Sequence, residues 1–316
     1  MNAWFRPILT TIFIFVHTGG MPASRTRPAV LAAALALAAA GLTACGDGGT
    51  GGRADVLAAF YPMAFLASRV GGPDVAVSTL TRPGAEPHDL ELTPKQIGHV
   101  KKARLTVYVK GLQPAVDDAV RHQAGRRALD AAALVPLLPA PEGKGTDPHL
   151  WLDPSRMAVL ATAVGERLAR ADPAHAPAYR DRAKTLAGQL TALDTAFRTG
   201  LRRCARTTIV TAHAAFGYLA ARYGLRQVPV AGVDPAAEPS PRRLADLAAL
   251  VRATGATTVF TETLASPKVA AALARAAGAR TAVLDPLEGI RRGSDDDYLS
   301  VMRSNLTVLR SALGCP

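Results

Sequence analysis

From residue 54 to residue 284, short apolar runs alternate with longer stretches of helical periodicity, and that alternation limits the chain to the α/β class. In the first half, Asp55–Phe60, Val75–Leu80 and Arg104–Val109 read as strands. Met63–Val70, Thr93–Ala103 and Gln113–Gln123 read as helices. In the second half, Thr207–Thr211, Gln227–Val230, Thr257–Thr261 and Thr281–Leu284 read as strands, and Ala215–Tyr223, Pro241–Thr254 and Pro267–Ala277 as helices. Between the halves, Asp153-Pro154 opens a helix to about Ala171, and Asp172-Pro173 opens another that runs to about Arg203. Asp before Pro is a sound N-cap and first-turn pair. A helix of roughly 30 residues is about 45 Å long, enough to join two lobes rigidly. The expected organisation is a first α/β lobe over 54–171, a connecting helix over 172–204 and a second α/β lobe over 205–316, each lobe built on a parallel-type sheet with flanking helices.

The ends of the second-half strands deliver His213, Glu262 and Asp285. In open α/β sheets, ligands gather at the carboxyl ends of strands. Two further histidines are held at turns. His88 lies in RPGAEPHDLELTP between Pro87 and Asp89, and His149 follows Pro148 in TDPHLWLDP. Proline fixes its own φ and extends the residue before it, so neither histidine reads as part of a helix face. The chain has seven histidines. His88, His149 and His213 read together as one metal site completed by a carboxylate from the second half, whereas His99, His122 and His175 fall on helical stretches and His17 in the leader.

Residues 1–44 read as a leader and not as part of the fold. Arg25 and Arg27, the apolar run Ala29–Leu42 and the ending Leu42-Thr43-Ala44-Cys45 make a secretory signal. The ending resembles a bacterial lipobox, which makes Cys45 the lipidated amino terminus of the exported protein. The uninterrupted apolar stretch is shorter than the roughly 20 residues a membrane span needs. Met1–Gly20 precedes a second candidate start at Met21, and GDGGTGG over 46–52 reads as a flexible tether within the segment 45–53. The anchored layout implies a protein that works at the outer face of the membrane without entering it.

The charge is +12 and the first 44 residues hold Arg6, Arg25 and Arg27 with no acid, which leaves about +9 for the rest. These basic residues are spread over helices without aromatic interleaving, and aromatics are only 5% of the chain. That pattern argues against nucleic acid as a partner.

Several segments in order resemble the zinc/manganese solute-binding lipoproteins of ABC importers, the ZnuA/TroA-like family. They are AAFYPMAFLASRVGG, RPGAEPHDLELTP, LTVYVKGLQP, DPHLWLDP, VTAHAAFGYLAARYGL, EPSPRRLADL, TETLASPKVAAALA and LDPLEG. The resemblance implies two α/β lobes with one metal between them, His88 and His149 as ligands from the first lobe, and His213 and Asp285 from the second. It implies a monomeric receptor that hands metal to an ABC permease. Glu262 is the rival carboxylate or a partner to a ligand, and Glu86 is a further candidate because some zinc members use a Glu near this loop. Three imidazoles and one carboxylate suit Zn2+; Mn2+ is the alternative and prefers more oxygen. Manganese members tend to carry Glu where this chain has His213. One departure stands out: many zinc members have a histidine-rich loop between the first two histidine ligands, and Leu138–Pro148 is short and free of histidine.

A site with four protein ligands binds and releases metal; a hydrolase needs an open position, and no HExxH occurs. An exported metal chaperone or adhesin on the same fold is the remaining alternative. With Cys45 assigned to the anchor, Cys204 and Cys315 are left as a candidate disulfide in an oxidising compartment.

Overall fold

The computed structural model describes residues 53–316 apart from 142–144 and 237–238. The leader, the two candidate starts, Cys45 and the glycine tether lie outside the described residues. Arg53–Pro316 form one compact unit.

The first sheet holds β1 (Ala54–Ala58), β2 (Val75–Thr79), β3 (Leu105–Tyr108) and β4 (Ala128–Asp130) in the order β2-β1-β3-β4, all parallel. The second holds β5 (Thr208–Thr211), β6 (Arg226–Pro229), β7 (Thr258–Thr261) and β8 (Arg280–Val283) in the order β6-β5-β7-β8, again parallel. The central strands are buried along their length because both their faces are covered: all four residues of β3 and of β7 are buried. Helices α1 (Tyr61–Gly71), α2 (Pro94–Lys102), α3 (Pro114–Ala119) and α4 (Pro154–Ala171) accompany the first sheet. α5 (Ala176–Leu201) follows. Then α6 (Gly217–Tyr223), α7 (Pro241–Thr254), α8 (Lys268–Ala277) and α9 (Tyr298–Leu313) accompany the second.

The helix starts follow local chemistry. Thr93 and Gln96 form a capping box ahead of α2, Asp153 caps α4 with Pro154 behind it, and Ser240 caps α7. The expected helix over 113–123 is α-helical only to Ala119; Val120–Ala124 widens into a π turn that Gly125, at φ 54°, ends. Sequence periodicity did not reveal two elements. β4 is three residues long, and α9 carries a polar Asn305 on its buried face.

The expected long helix is α5, 26 residues, entered through the short 3-10 turn Pro173–His175. It packs along α4 and meets α1 and α9. Its buried stripe, Tyr179, Leu186, Leu190, Leu193 and Phe197, belongs to one apolar core that runs from the first sheet into α9. A smaller core of Val210, Val228, Val259, Leu247, Val251 and Leu273 lies within the second lobe. The large shared core makes α5 a rigid brace. A disulfide joins Cys204, just past α5, to Cys315, just past α9. Among the described residues no helix is long and apolar enough to cross a membrane.

Candidate metal centre

Each sheet sends loops from the carboxyl ends of its strands towards the other. His88 lies on the loop after β2, His149 on the approach to α4, and His213 directly after β5. The loop after β8 brings Glu288. Donor atoms of His88, His149, His213 and Glu288 all lie within 4.8 Å of one another. His88 Nε2 is 3.3 Å from His149 Nε2, and Glu288 Oε1 is 3.3 Å from His88, 3.4 Å from His149 and 3.1 Å from His213 at their Nε2 atoms. A tetrahedral ion with ligands at 2.0–2.1 Å spaces its donors by about 3.3–3.4 Å. Four of the six donor pairs lie near that spacing, at 3.1–3.4 Å, and all lie within 4.8 Å.

The other faces of two rings are fixed by carboxylates. Asp147 Oδ1 accepts from the His149 backbone N–H at 2.9 Å and lies 2.7 Å from its Nδ1. Glu262 Oε1 does the same for His213, at 3.1 Å from the backbone nitrogen and 2.7 Å from Nδ1. An acceptor at Nδ1 holds a proton there and makes Nε2, which faces the cluster, the nitrogen that meets a metal once its own proton leaves, the arrangement by which carboxylates orient metal-binding histidines. Burial alone would lower the His213 pKa, but hydrogen bonds to Glu262 and Glu288 outweigh it and raise it to about 10. His149 is raised in the same way by Asp147 and Glu288 against full burial. Burial would raise Glu288, yet the three imidazoles hold its carboxyl well below the usual range.

Asp285, expected from the sequence in the carboxylate position, stands outside the group; Glu288 occupies that place. The Asp285 side chain is spent locally: its Oδ1 accepts the Leu287 N–H at 2.7 Å in an Asx turn. Burial and the charges of Glu288 and Glu262 push its carboxyl up. The turn projects the residue three positions later. Glu86 is also outside the group; its carboxylate accepts the His88 backbone N–H at 3.0–3.1 Å. Glu262 holds His213 from behind. Asp147 went unread in the sequence, although its place two residues before His149 after a turn was a usable signal. The short 138–148 segment contains it.

A family profile described as "ZnuA: Zinc-uptake complex component A periplasmic" matches residues 56–312. The chain belongs to the ZnuA family. The high-affinity zinc uptake system protein ZnuA of Bacillus subtilis is 32% identical to this ZnuA-family chain over 298 residues, covering 86% of the chain and 93% of that protein. Against the zinc-binding protein AdcA of Streptococcus pyogenes serotype M18, identity is 33% over 82% of the chain, and the chain spans 56% of AdcA. The Zn(II)-bound ZnuA-like domain of AdcA from Streptococcus pneumoniae matches with a TM-score of 0.73 at 32% identity, covering 83% of the chain and 99% of the domain. A mutant structure of the laminin-binding adhesin Lmb from Streptococcus agalactiae matches at 0.76 and 31% identity, over 83% of the chain and all of the adhesin.

Proposed function

We propose that this protein is an extracytoplasmic receptor that captures Zn2+ between its two lobes and hands it to an ABC-type membrane permease. The observation that carries the reading is the meeting of three imidazole nitrogens and one carboxylate oxygen, drawn from both lobes, all within 4.8 Å of one another. His88, His149, His213 and Glu288 are the ligands in this account. Three imidazoles favour zinc over manganese, which prefers an oxygen-rich shell. Four protein donors complete a tetrahedron and leave no open position for an activated water, so the site carries and does not hydrolyse. The relatives named for zinc uptake and for zinc binding support the same cargo.

His88 and His149 precede α5 in the chain, and His213 and Glu288 follow it. A small relative movement of the lobes therefore separates the ligands in pairs, which gives docking to a permease a lever for release. Lipidation at Cys45, with the tether over 46–52, keeps the monomeric receptor at high local concentration beside that permease.

The test is competition binding on the soluble chain 46–316 and on its His213→Ala variant. One zinc held per chain, not displaced by excess Mn2+ and lost in the variant, supports the reading. Preference for Mn2+ changes the cargo; failure to hold any divalent metal refutes it.

A further inference from the structure

The loop that carries Glu288 is gripped from two directions. From α9, the buried Asn305 pairs reciprocally with the backbone of Asp285: the Asp285 N–H donates to Asn305 Oδ1 at 3.0 Å, and Asn305 Nδ2 donates to the Asp285 carbonyl at 2.7 Å. The Asx turn then places Leu287 at φ 58°, the one non-glycine residue with positive φ among the described residues. Such a conformation persists only where surrounding contacts impose it. From the first lobe, the indole N–H of Trp151 donates to the Pro286 carbonyl at 2.8 Å.

Trp151 is fully buried. Its ring lies 5.1 Å from that of His149 and packs edge-on against Phe60 at 4.8 Å, and its carbonyl accepts the Tyr298 hydroxyl at 2.6 Å. One side chain thus rests on the ring of a first-lobe histidine and holds the backbone two residues ahead of Glu288. A core tryptophan needs only a partner for its N–H. This one takes its partner from the other lobe, on the strained loop that aims a metal-binding carboxylate.

We propose that Trp151, through Pro286, is the positioning residue that fixes Glu288 against the three histidines and holds the site to four donors. The assignment rests on the zinc-receptor reading and deepens it. Without the indole bond the Pro286 carbonyl loses its partner, the Leu287 turn relaxes, and Glu288 shifts relative to His88, His149 and His213. A displaced carboxylate admits water or a second oxygen, and a higher oxygen count favours Mn2+ relative to Zn2+.

The experiment compares the soluble chain 46–316 with Trp151→Phe, which keeps an aromatic ring against Phe60 and His149 but has no N–H. Trp151 is the only tryptophan of that chain, the other being Trp4. Global replacement of tryptophan by benzothienylalanine therefore provides a second variant of nearly unchanged shape that also lacks the donor. The readouts are zinc and manganese affinity, the visible absorption of bound Co2+, and thermal unfolding without metal. Losses on removing a group that orients a ligand run from about 10- to 100-fold in metal affinity. That loss is expected for zinc, with a smaller one for manganese and weakened cobalt bands as four-coordination is lost. Variants that unfold earlier but keep the wild-type cobalt spectrum and Zn2+/Mn2+ ratio would reduce Trp151 to a packing residue and overturn the proposal. A wild-type chain that binds no zinc would refute the receptor reading and this assignment with it; a zinc-binding wild type with unaltered variants refutes this assignment alone.

Discussion

Glu262 Oε1 lies 2.7 Å from Nδ1 of His213 and also accepts the His213 backbone N–H at 3.1 Å. Because the backbone group can only donate, Oε1 is an acceptor that keeps a proton on Nδ1, which leaves Nε2, facing Glu288 and the two other histidines, as the nitrogen that exchanges its proton for a metal. Glu262→Ala removes that orientation without removing a ligand. Zinc affinity is expected to fall by about 10- to 100-fold, with a smaller loss for Glu262→Gln, whose amide oxygen still accepts both N–H groups. Competition titration checks the order; equal losses in the two variants would contradict it.

The roles of Glu288 and Asp285 separate by substitution. Glu288→Gln weakens a donor to the metal, whereas Asp285→Asn keeps an oxygen to accept the Leu287 N–H and hold the turn. The first should abolish tight zinc binding and the second should leave it within a few-fold of wild type. Measured affinities in the reverse order would return Asp285 to the site.

The three histidines that cluster in the structure were legible because prolines, turns and strand ends exposed them in the sequence. The carboxylate that clusters with them was not, for a geometric reason. Asp285 sits at the end of β8 before Pro286, where strand-end logic looks for a ligand, but its carboxylate closes a turn that hands the position to Glu288. The same limit applies to the fold. Seven of eight strands read as apolar runs; β4 was too short to register, and Asn305 interrupted the apolar stripe of α9. That asparagine is spent on the backbone of Asp285, so the signal that hid the helix is one that shapes the site.

Protons compete with zinc for imidazole. His149 and His213 are both raised above the ordinary imidazole value, so apparent affinity should already fall as pH drops from 8.5 towards neutrality. Since Glu262 and Glu288 hold the His213 proton to about 10, affinity should also keep rising above neutrality. Competition titrations from pH 5.5 to pH 8.5 read this directly, and a flat profile would exclude a three-histidine site.

Asp194 on α5 ties the brace to the second lobe. Its carboxylate accepts from Arg222 Nε and Nη2 at 2.9 Å each and from the Tyr223 hydroxyl at 3.1 Å. Burial would raise its pKa, but Arg222 and Tyr223 outweigh that and lower it. A depressed carboxylate contributes stability above its unfolded value, near 3.9, and loses it as pH falls through the folded value. Asp194→Asn should cost on the order of 1–3 kcal/mol at pH 7, reduced by the partial solvation of Arg222. Denaturation at pH 7 and pH 3 should show the gap narrowing in acid.

Reduction of Cys204–Cys315 reopens a loop of 111 residues. Cys204→Ser with Cys315→Ser should lower stability by about 2–5 kcal/mol while leaving zinc affinity within a few-fold, because the bond lies past the ends of α5 and α9. Denaturant titration and metal competition on the same sample test both halves.

The central claim is the identity of the four donors, and X-ray absorption at the zinc edge of the loaded chain 46–316 tests it most directly. The account predicts a first shell of three imidazole nitrogens and one oxygen at about 2.0–2.2 Å, with Glu288→Ala replacing that oxygen or losing the metal. A six-coordinate oxygen-rich shell, or a wild-type spectrum retained in Glu288→Ala, would contradict it.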